Sequence, residues 1–206
     1  MEQPENPKRG VIVDYFNRII EFGNKWCTLS NLLFRSSEHI FRKLEGMMLV
    51  ITIICIVLLF CIHKFPWWLG LLIAILLIQR VIEFIIVYSR NFIFNRGRIF
   101  SEFKDPIRRG QWLISMFSFN IIQVILIFAI WYRLLSFWDP SAFSYTLNII
   151  DSLYFSVVTL LTVGYGDIIP ISNLAKGLVI LQLILTFYTV VIVINGVISI
   201  HFRRSD

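Results

Sequence analysis

The residues with the clearest chemical potential lie in one short segment, Thr162 to Asp167, which reads Thr-Val-Gly-Tyr-Gly-Asp. Its two glycines lack the Cβ atom that closes unusual backbone conformations to most L-residues, so consecutive carbonyl oxygens can turn to one side. The segment follows an apolar stretch, Ile149 to Leu161, that is too short to cross a bilayer. Lipid tolerates irregular backbone only where it faces protein or a watery cavity, so the segment predicts a pore.

The elements that must position this segment are long apolar helices. Of the 206 residues, 57% are hydrophobic and only 16% are charged, which is more apolar surface than one soluble core of this size can hide. Four runs approach the roughly 20 residues that a helix needs to cross a bilayer: Gly46–Ile62, Trp67–Tyr88, Trp112–Tyr132 and Leu174–Ile200. The sequence therefore predicts an all-α integral membrane protein with four transmembrane helices and a re-entrant helix before the last one.

Basic residues predict the orientation of these helices. Most of the 19 Lys and Arg residues precede the first run, join the second to the third, or follow the fourth. The positive-inside rule then places both termini in the cytoplasm of a multi-pass protein of the cell membrane, with the segment from Arg133 to Lys176 outside.

The chain divides into four predicted parts. Residues 1–44 form a cytoplasmic amphipathic segment, 45–90 an outer transmembrane hairpin, 91–111 a cytoplasmic interfacial linker, and 112–206 a module of outer helix, short helix, glycine loop and inner helix. The basic, partly apolar cytoplasmic segments suit either anionic lipid headgroups or the cytoplasmic face of the protein itself, and the sequence does not decide between these alternatives.

A family resemblance rests on two adjoining stretches. Thr159–Asp167 resembles the potassium channel signature, and Ser152–Val158 resembles the pore helices of two-pore-domain and related prokaryotic potassium channels. The resemblance covers about residues 112 to 204. A Gly-Tyr-Gly tripeptide by itself would be an ordinary turn, but here the nine-residue signature, the short helix and the flanking runs agree.

The resemblance implies a potassium-selective channel built as a homotetramer, with K⁺ as the permeant ion and no cofactor. Backbone carbonyls would replace the hydration water of the ion. The implied K⁺ ligands are the carbonyls of Thr162, Val163, Gly164 and Tyr165, and the implied supporting residues are Gly166, Asp167, Tyr154 and Thr159. A hydrogen bond from the Tyr154 hydroxyl to Asp167 is a further hypothesis, because Tyr154 stands where the family usually has tryptophan.

Polar residues on the last helix are candidates for lining a cavity below the filter. These are Thr186, Thr189, Asn195 and Ser199. The alternative for the threonines, packing or bonding to the backbone one turn back, remains open.

Other functions are less well supported. Arg80 and Glu83 are spaced to pair on one helix face, but no run carries the repeated arginines of an S4-type voltage sensor. We expect no enzyme, because no metal-ligand spacing or activated nucleophile is visible, and no nucleic-acid partner, because the basic residues are scattered. Two rivals remain: a less selective cation channel, and a non-conducting auxiliary subunit or membrane scaffold.

Overall fold

A computed structural model of the chain describes residues 40–61, 66–89 and 106–202, together with the single residues 18 and 64. Its helices, numbered in chain order, are α1 (Ile40–Cys61), α2 (Trp67–Tyr88), α3 (Pro106–Trp138), α4 (Ile149–Leu160) and α5 (Asn173–Phe202). The predicted all-helical architecture is therefore confirmed for this part of the chain. Most of the predicted segments 1–44 and 91–111 lies outside the described residues.

Three helices in the described part are long and apolar enough to cross a membrane. Their candidate spans are Trp67–Ile86 in α2, Phe117–Trp138 in α3 and Asn173–Val191 in α5. The apolar part of α1, Glu45–Cys61, is shorter than the about 20 residues that a perpendicular crossing requires. Three of the four predicted spans are thus found, and the crossing by α1 stays a prediction.

The helix α3 is longer at both ends than the predicted run Trp112–Tyr132. It begins at Pro106, since proline is favoured in the first helical turn, where its missing N–H group has no intrahelical acceptor. It ends at Trp138, because the next residue turns the chain: the Asp139 carboxylate accepts hydrogen bonds from the Ser141 N–H (3.1 Å) and hydroxyl (2.6 Å).

The same helix is the centre of the described fold. It contacts α1, α2, α4 and α5, and residues 126–132 are buried on every side. Its candidate span is 61% buried, whereas that of α5 is only 17% buried. Because its middle is buried on every side by the helices that it contacts, α3 is the core helix of the described fold.

The α1–α2 hairpin is attached to α3 by a polar cluster, which we call the hairpin junction: Met48, Thr52, Arg80, Glu83 and Gln123. The predicted pair is confirmed, with Arg80 Nη1 at 2.8 Å from Glu83 Oε2. Arg80 Nε donates to Gln123 Oε1 (3.0 Å), and Gln123 Nε2 donates to the Met48 carbonyl (2.9 Å) and the Thr52 hydroxyl (3.0 Å). Charge within the apolar layer is therefore neutralised locally and bonded to a third helix.

Two further contacts bring α2 against the pore-side helices. Gly70 lies so close to α3 that a Cβ atom there would be 2.8 Å from the Trp138 ring, so a side chain would separate the two helices. Near the end of α2, the Ser89 and Tyr188 hydroxyls are adjacent, and each lies within hydrogen-bonding distance of the Ile85 carbonyl, at 2.7 Å and 3.0 Å respectively. One hydroxyl therefore donates to the carbonyl and the other to its neighbour. The hairpin consequently touches α5 as well as α3.

Candidate ion-conduction site

The short helix α4 delivers the chain to the glycine segment. It begins with a reciprocal cap, in which Asn148 Oδ1 accepts from the Asp151 N–H (2.9 Å) and Asp151 Oδ2 accepts from the Asn148 N–H (3.2 Å). Its 12 residues span about 18 Å, so it stops within a bilayer. The structure ends the helix at Leu160, one residue before the predicted end.

The side of α4 that faces α3 is aromatic and tightly packed. The Phe155 ring meets the Tyr132 ring at 4.8 Å and the Phe143 ring at 5.6 Å, both edge to face. Phe143 belongs to the loop that precedes α4, and Tyr132 belongs to α3. The short helix is therefore held from two directions before the chain enters the segment.

The sign of the φ angle alternates along the segment. The φ angles of Thr162, Gly164 and Gly166 are +54°, +63° and +80°, whereas Val163 and Tyr165 between them are not among the positive-φ residues. Added Cβ atoms at both glycines would meet nothing within 4 Å, so glycine is needed there for conformation and not for space. The two glycines behave as predicted, whereas the positive φ of Thr162 was not predicted.

The first two peptide groups of the segment turn to the same side. A trans peptide puts each carbonyl opposite its N–H group. The Thr162 and Val163 N–H groups bond to the Thr159 and Val158 carbonyls at the end of α4, each at 3.0 Å. The carbonyls of Leu161 and Thr162 therefore point away from α4, as a row of cation ligands requires.

The Thr162 side chain lies at the inner end of this row. Its hydroxyl donates to the Leu161 carbonyl at 2.7 Å, so the two oxygens are adjacent. Positive φ at a β-branched residue costs about 1–3 kcal/mol and persists only where the surroundings enforce it. Here the enforcement comes from the two hydrogen bonds to α4 described above.

The outer part of the segment rests on the same helix. The Tyr165 ring is parallel to the Tyr154 ring of α4, with ring centres 6.4 Å apart and 6° between the planes. Hydrogen bonding with the Asp167 side chain is the main cause that raises the pKa of Tyr154. This shift supports the hypothesised Tyr154–Asp167 bond, which stays a prediction.

The mouth beyond Asp167 is negatively charged. The pKa of Tyr145 is raised by partial desolvation and by the charges of Asp151 and Asp167, so these groups share one electrostatic environment. A mouth lined by carboxylates concentrates cations.

The far end of the segment is tied to the loop before α4. The Ser144 N–H donates to the Ile169 carbonyl (2.9 Å), and the Ile171 N–H donates to the Ala142 carbonyl (2.8 Å). The Ser144 hydroxyl also accepts from the Ile169 N–H at 3.2 Å. The segment is therefore anchored at both ends, to α4 on one side and to this loop on the other.

Of the predicted cavity residues, two can be located in detail. The Thr186 and Thr189 hydroxyls donate to the Gln182 and Leu185 carbonyls one turn earlier, at 2.9 Å and 2.7 Å. The sequence left this bonding to the backbone open as an alternative to lining a cavity. A threonine that bonds in this way can still line a cavity with the rest of its side chain. Asn195 and Ser199 lie on α5 where only the backbone is described, so the cavity assignment stays a prediction.

Sequence reasoning missed a second buried polar cluster, which we call the pore junction: Tyr132, Ser156 and Gln182. Gln182 Oε1 accepts from the Tyr132 hydroxyl (2.6 Å), and Gln182 Nε2 donates to the Ser156 carbonyl (2.8 Å) and hydroxyl (3.2 Å). The Ser156 hydroxyl donates to the Ile125 carbonyl of α3 at 2.8 Å. A glutamine in the middle of an apolar run could have indicated such a cluster, because its amide must find partners.

Comparison with known proteins agrees with this geometry. A family model described as "Ion channel" matches residues 120–203, which include most of α3, α4, the glycine segment and α5. No solved structure matches the chain.

Similar proteins include "Potassium channel K2" of Plasmodium falciparum (isolate 3D7), 44% identical over 68 residues, which cover 32% of this chain and 5% of that protein. "Two-pore potassium channel 3" and "Two-pore potassium channel 4" of Arabidopsis thaliana are each 30% identical, over 99 and 96 residues. Each match covers 47% of this chain, but only 22% and 30% of the two plant proteins. The chain thus spans a minor part of the length of these relatives. Residues 120–203, with the glycine segment among them, are therefore similar to the ion channel family, and the matched relatives named above are potassium channels.

Proposed function

We propose that this chain is one subunit of a potassium-selective channel that conducts K⁺ passively across the cell membrane. The observation that carries the proposal is the alternating backbone from Thr162 to Gly166, whose φ angles are positive at every second residue. Such a strand presents a row of carbonyl oxygens that can replace the water around a dehydrated K⁺ ion. The proposed ligands are the carbonyls of Thr162, Val163, Gly164 and Tyr165.

A homotetramer supplies the rest of each ligand ring. One chain provides one carbonyl at each level, and a ring around an ion needs several, which four copies about one axis provide. Two large aromatic side chains that the single chain leaves uncovered support this assembly: Tyr165 is 71% exposed, and Phe187 on α5 is 72% exposed. Polar backbone such as the filter cannot face lipid, so neighbouring subunits and a water-filled pore are its fitting surroundings.

Electrostatics favours cations at both ends of the filter. Asp167 and Asp151 draw cations to the outer mouth. The C-terminal end of α4, near Leu161, carries the negative end of the helix dipole and is directed to the inner end of the filter. No cofactor is required, because K⁺ itself is the transported ion.

The proposed topology has four crossings. The α1 helix has 22 residues in all, so it can reach across about 33 Å if its basic first turn lies in the headgroup layer. Both termini are then cytoplasmic, and the basic segments outside the described residues meet anionic lipid or the channel's own surface. Arg80 is neutralised by Glu83 and has no repeated arginines beside it, so we propose no S4-type voltage sensor.

Flux measurements on the purified chain in liposomes test the proposal. A K⁺ gradient should drive K⁺ flux, and the reversal potential should follow the K⁺ gradient and ignore the Na⁺ gradient. Equal permeation of Na⁺ would establish the less selective cation channel instead. Folded, correctly inserted protein without any flux would favour the auxiliary subunit.

A further inference from the structure

The pore junction joins three helices at a point that has no access to water. Tyr132 of α3, Ser156 of α4 and Gln182 of α5 are all 0% exposed. Each polar atom of the Gln182 amide is bonded: Oε1 to the Tyr132 hydroxyl, and Nε2 to both oxygens of Ser156. Each of the helices α3, α4 and α5, which together with the glycine segment we call the pore module, therefore contributes one member.

The orientation of the Gln182 amide follows from its partners. A main-chain carbonyl can only accept a hydrogen bond, so the group that faces the Ser156 carbonyl must be the NH₂. The oxygen then faces Tyr132, whose hydroxyl is the donor. A side chain that lacked either the donor or the acceptor would leave a buried partner unsatisfied.

Hydrogen bonds at Ser156 and at the end of α4, joined by the backbone of that helix, connect Gln182 to the filter. Ser156 lies on α4, and the same helix ends in the Val158 and Thr159 carbonyls, which accept from the Val163 and Thr162 N–H groups. The bond of the Val163 N–H sets the direction of the Thr162 carbonyl, which is the first proposed K⁺ ligand. A rotation or shift of α4 against α5 would therefore reorient ion ligands directly.

We propose that Gln182 is a positioning residue of the filter, which fixes the rotation and height of α4 relative to α5. This inference rests on the proposed function. Hydrophobic packing alone is weakly directional, and an apolar side chain of similar size would fill the same space. A fully satisfied buried polar group instead selects one geometry among several similar packings.

Gln182→Met tests the proposal, because methionine keeps the length of the side chain and removes both hydrogen-bonding groups. The wild-type channel and the variant are compared in planar bilayers with K⁺ on one side and Na⁺ on the other. We expect the Na⁺-to-K⁺ permeability ratio to rise about tenfold, the change that ~1.4 kcal/mol of lost discrimination produces. A residue with only a structural role would lower the number of channels, and hence the current, but would leave the reversal potential unchanged.

Gln123→Met is the matched control. Gln123 is also a buried glutamine at a three-helix contact, where it donates to a main-chain carbonyl, but it lies in the hairpin junction. We expect this variant to keep the wild-type reversal potential. Should Gln182→Met fail to fold, Tyr132→Phe removes only the hydroxyl that holds the Gln182 oxygen, and we expect a smaller rise of about threefold.

The outcomes separate this inference from the proposed function. A wild-type protein without K⁺ selectivity removes the proposed function itself. A selective wild type together with a folded Gln182→Met or Tyr132→Phe variant of unchanged reversal potential overturns only the role of Gln182. An equal loss of selectivity in Gln123→Met also overturns it, because the effect would then follow from any buried glutamine.

Discussion

The chain uses one arrangement twice, at the pore junction and at the hairpin junction. In each, a buried glutamine donates to a main-chain carbonyl of one neighbouring helix and accepts from a side-chain donor of another. Gln182 joins Ser156 to Tyr132, whereas Gln123 joins a carbonyl of α1 to Arg80. The donor in the pore junction is neutral, and the donor in the hairpin junction carries a charge balanced by Glu83.

This difference separates two tasks. A neutral, fully bonded junction sets geometry next to the filter and involves no buried charge. A charged junction depends on both partners being present, because either one alone would be an unpaired charge in the apolar layer. We therefore expect damage to the hairpin junction to appear mainly as lost stability, and damage to the pore module to appear mainly as altered conduction.

The largest expected effect on stability comes from Glu83→Ala. It leaves Arg80 without its carboxylate, and breaking a buried pair on one side costs about 3–5 kcal/mol. The free energy of unfolding in mixed detergent micelles measures the loss, and the reversal potential of the protein that remains folded should equal that of the wild type. The double variant Arg80→Met with Glu83→Leu removes both charges and should recover most of the stability. A double variant as unstable as Glu83→Ala would show that the unpaired charge is not the cause.

Gly164→Ala should, in contrast, affect conduction more than stability. At the Gly164 φ of +63°, a residue with a Cβ atom is about 1–2 kcal/mol less stable than glycine. The added methyl group has no atom within 4 Å, so there is no steric clash. We expect K⁺-selective flux to be lost while the folded assembly persists, as measured by liposome flux and by size-exclusion chromatography.

Gly177→Ala is the matched control for Gly164→Ala. Gly177 lies in α5, where an added Cβ also meets nothing and no positive φ is involved. This change should stabilise the helix by about 0.5–1 kcal/mol and leave the flux unchanged. Normal selectivity in Gly164→Ala would contradict the carbonyl alignment inferred from the alternating backbone.

The smallest expected effect is that of Tyr154→Phe at the outer mouth. Because the bond to Asp167 raises the pKa of Tyr154, the protonated hydroxyl and its bond are kept throughout the neutral range. The stabilisation that this hydrogen bond gives the folded protein is fully present below the ordinary tyrosine pKa of about 10. It is lost as the pH rises through the raised pKa of Tyr154. Tyrosinate absorbance during an alkaline titration should show a late component in the wild type that Tyr154→Phe lacks. If the absorbance lost in Tyr154→Phe instead titrates at the ordinary tyrosine pKa of about 10, the bond does not persist in solution.

Local features of the sequence were sufficient to predict the filter glycines and two features of α2. The glycine spacing predicted positive φ at Gly164 and Gly166, and the spacing of Arg80 and Glu83 predicted their ion pair. The helix α2 runs over the predicted residues. In each case the determining interaction lies within a few residues along the chain, where spacing alone fixes the geometry.

Features that depend on distant partners could not be read in the same way. The left-handed conformation of Thr162 is enforced by carbonyls of α4, and nothing in the threonine itself favours it. The partners of Gln182 lie on α3 and α4, so they become visible only when the helices are placed. The early start of α3 at Pro106 was missed because the predicted boundary followed the apolar run, which begins later than the helix.

The two anchors of the filter have a consequence for how it can fail. One end is bonded to the terminus of α4 and the other to the loop residues Ala142 and Ser144, so surrounding protein determines the end-to-end length of this strand. With its length fixed, the strand cannot contract around a smaller ion or collapse when ions leave, but single peptide planes can still turn between the anchors. Closure of the filter would then be a local rotation of one or two carbonyls. A probe that reports only the positions of the helices would not detect this rotation.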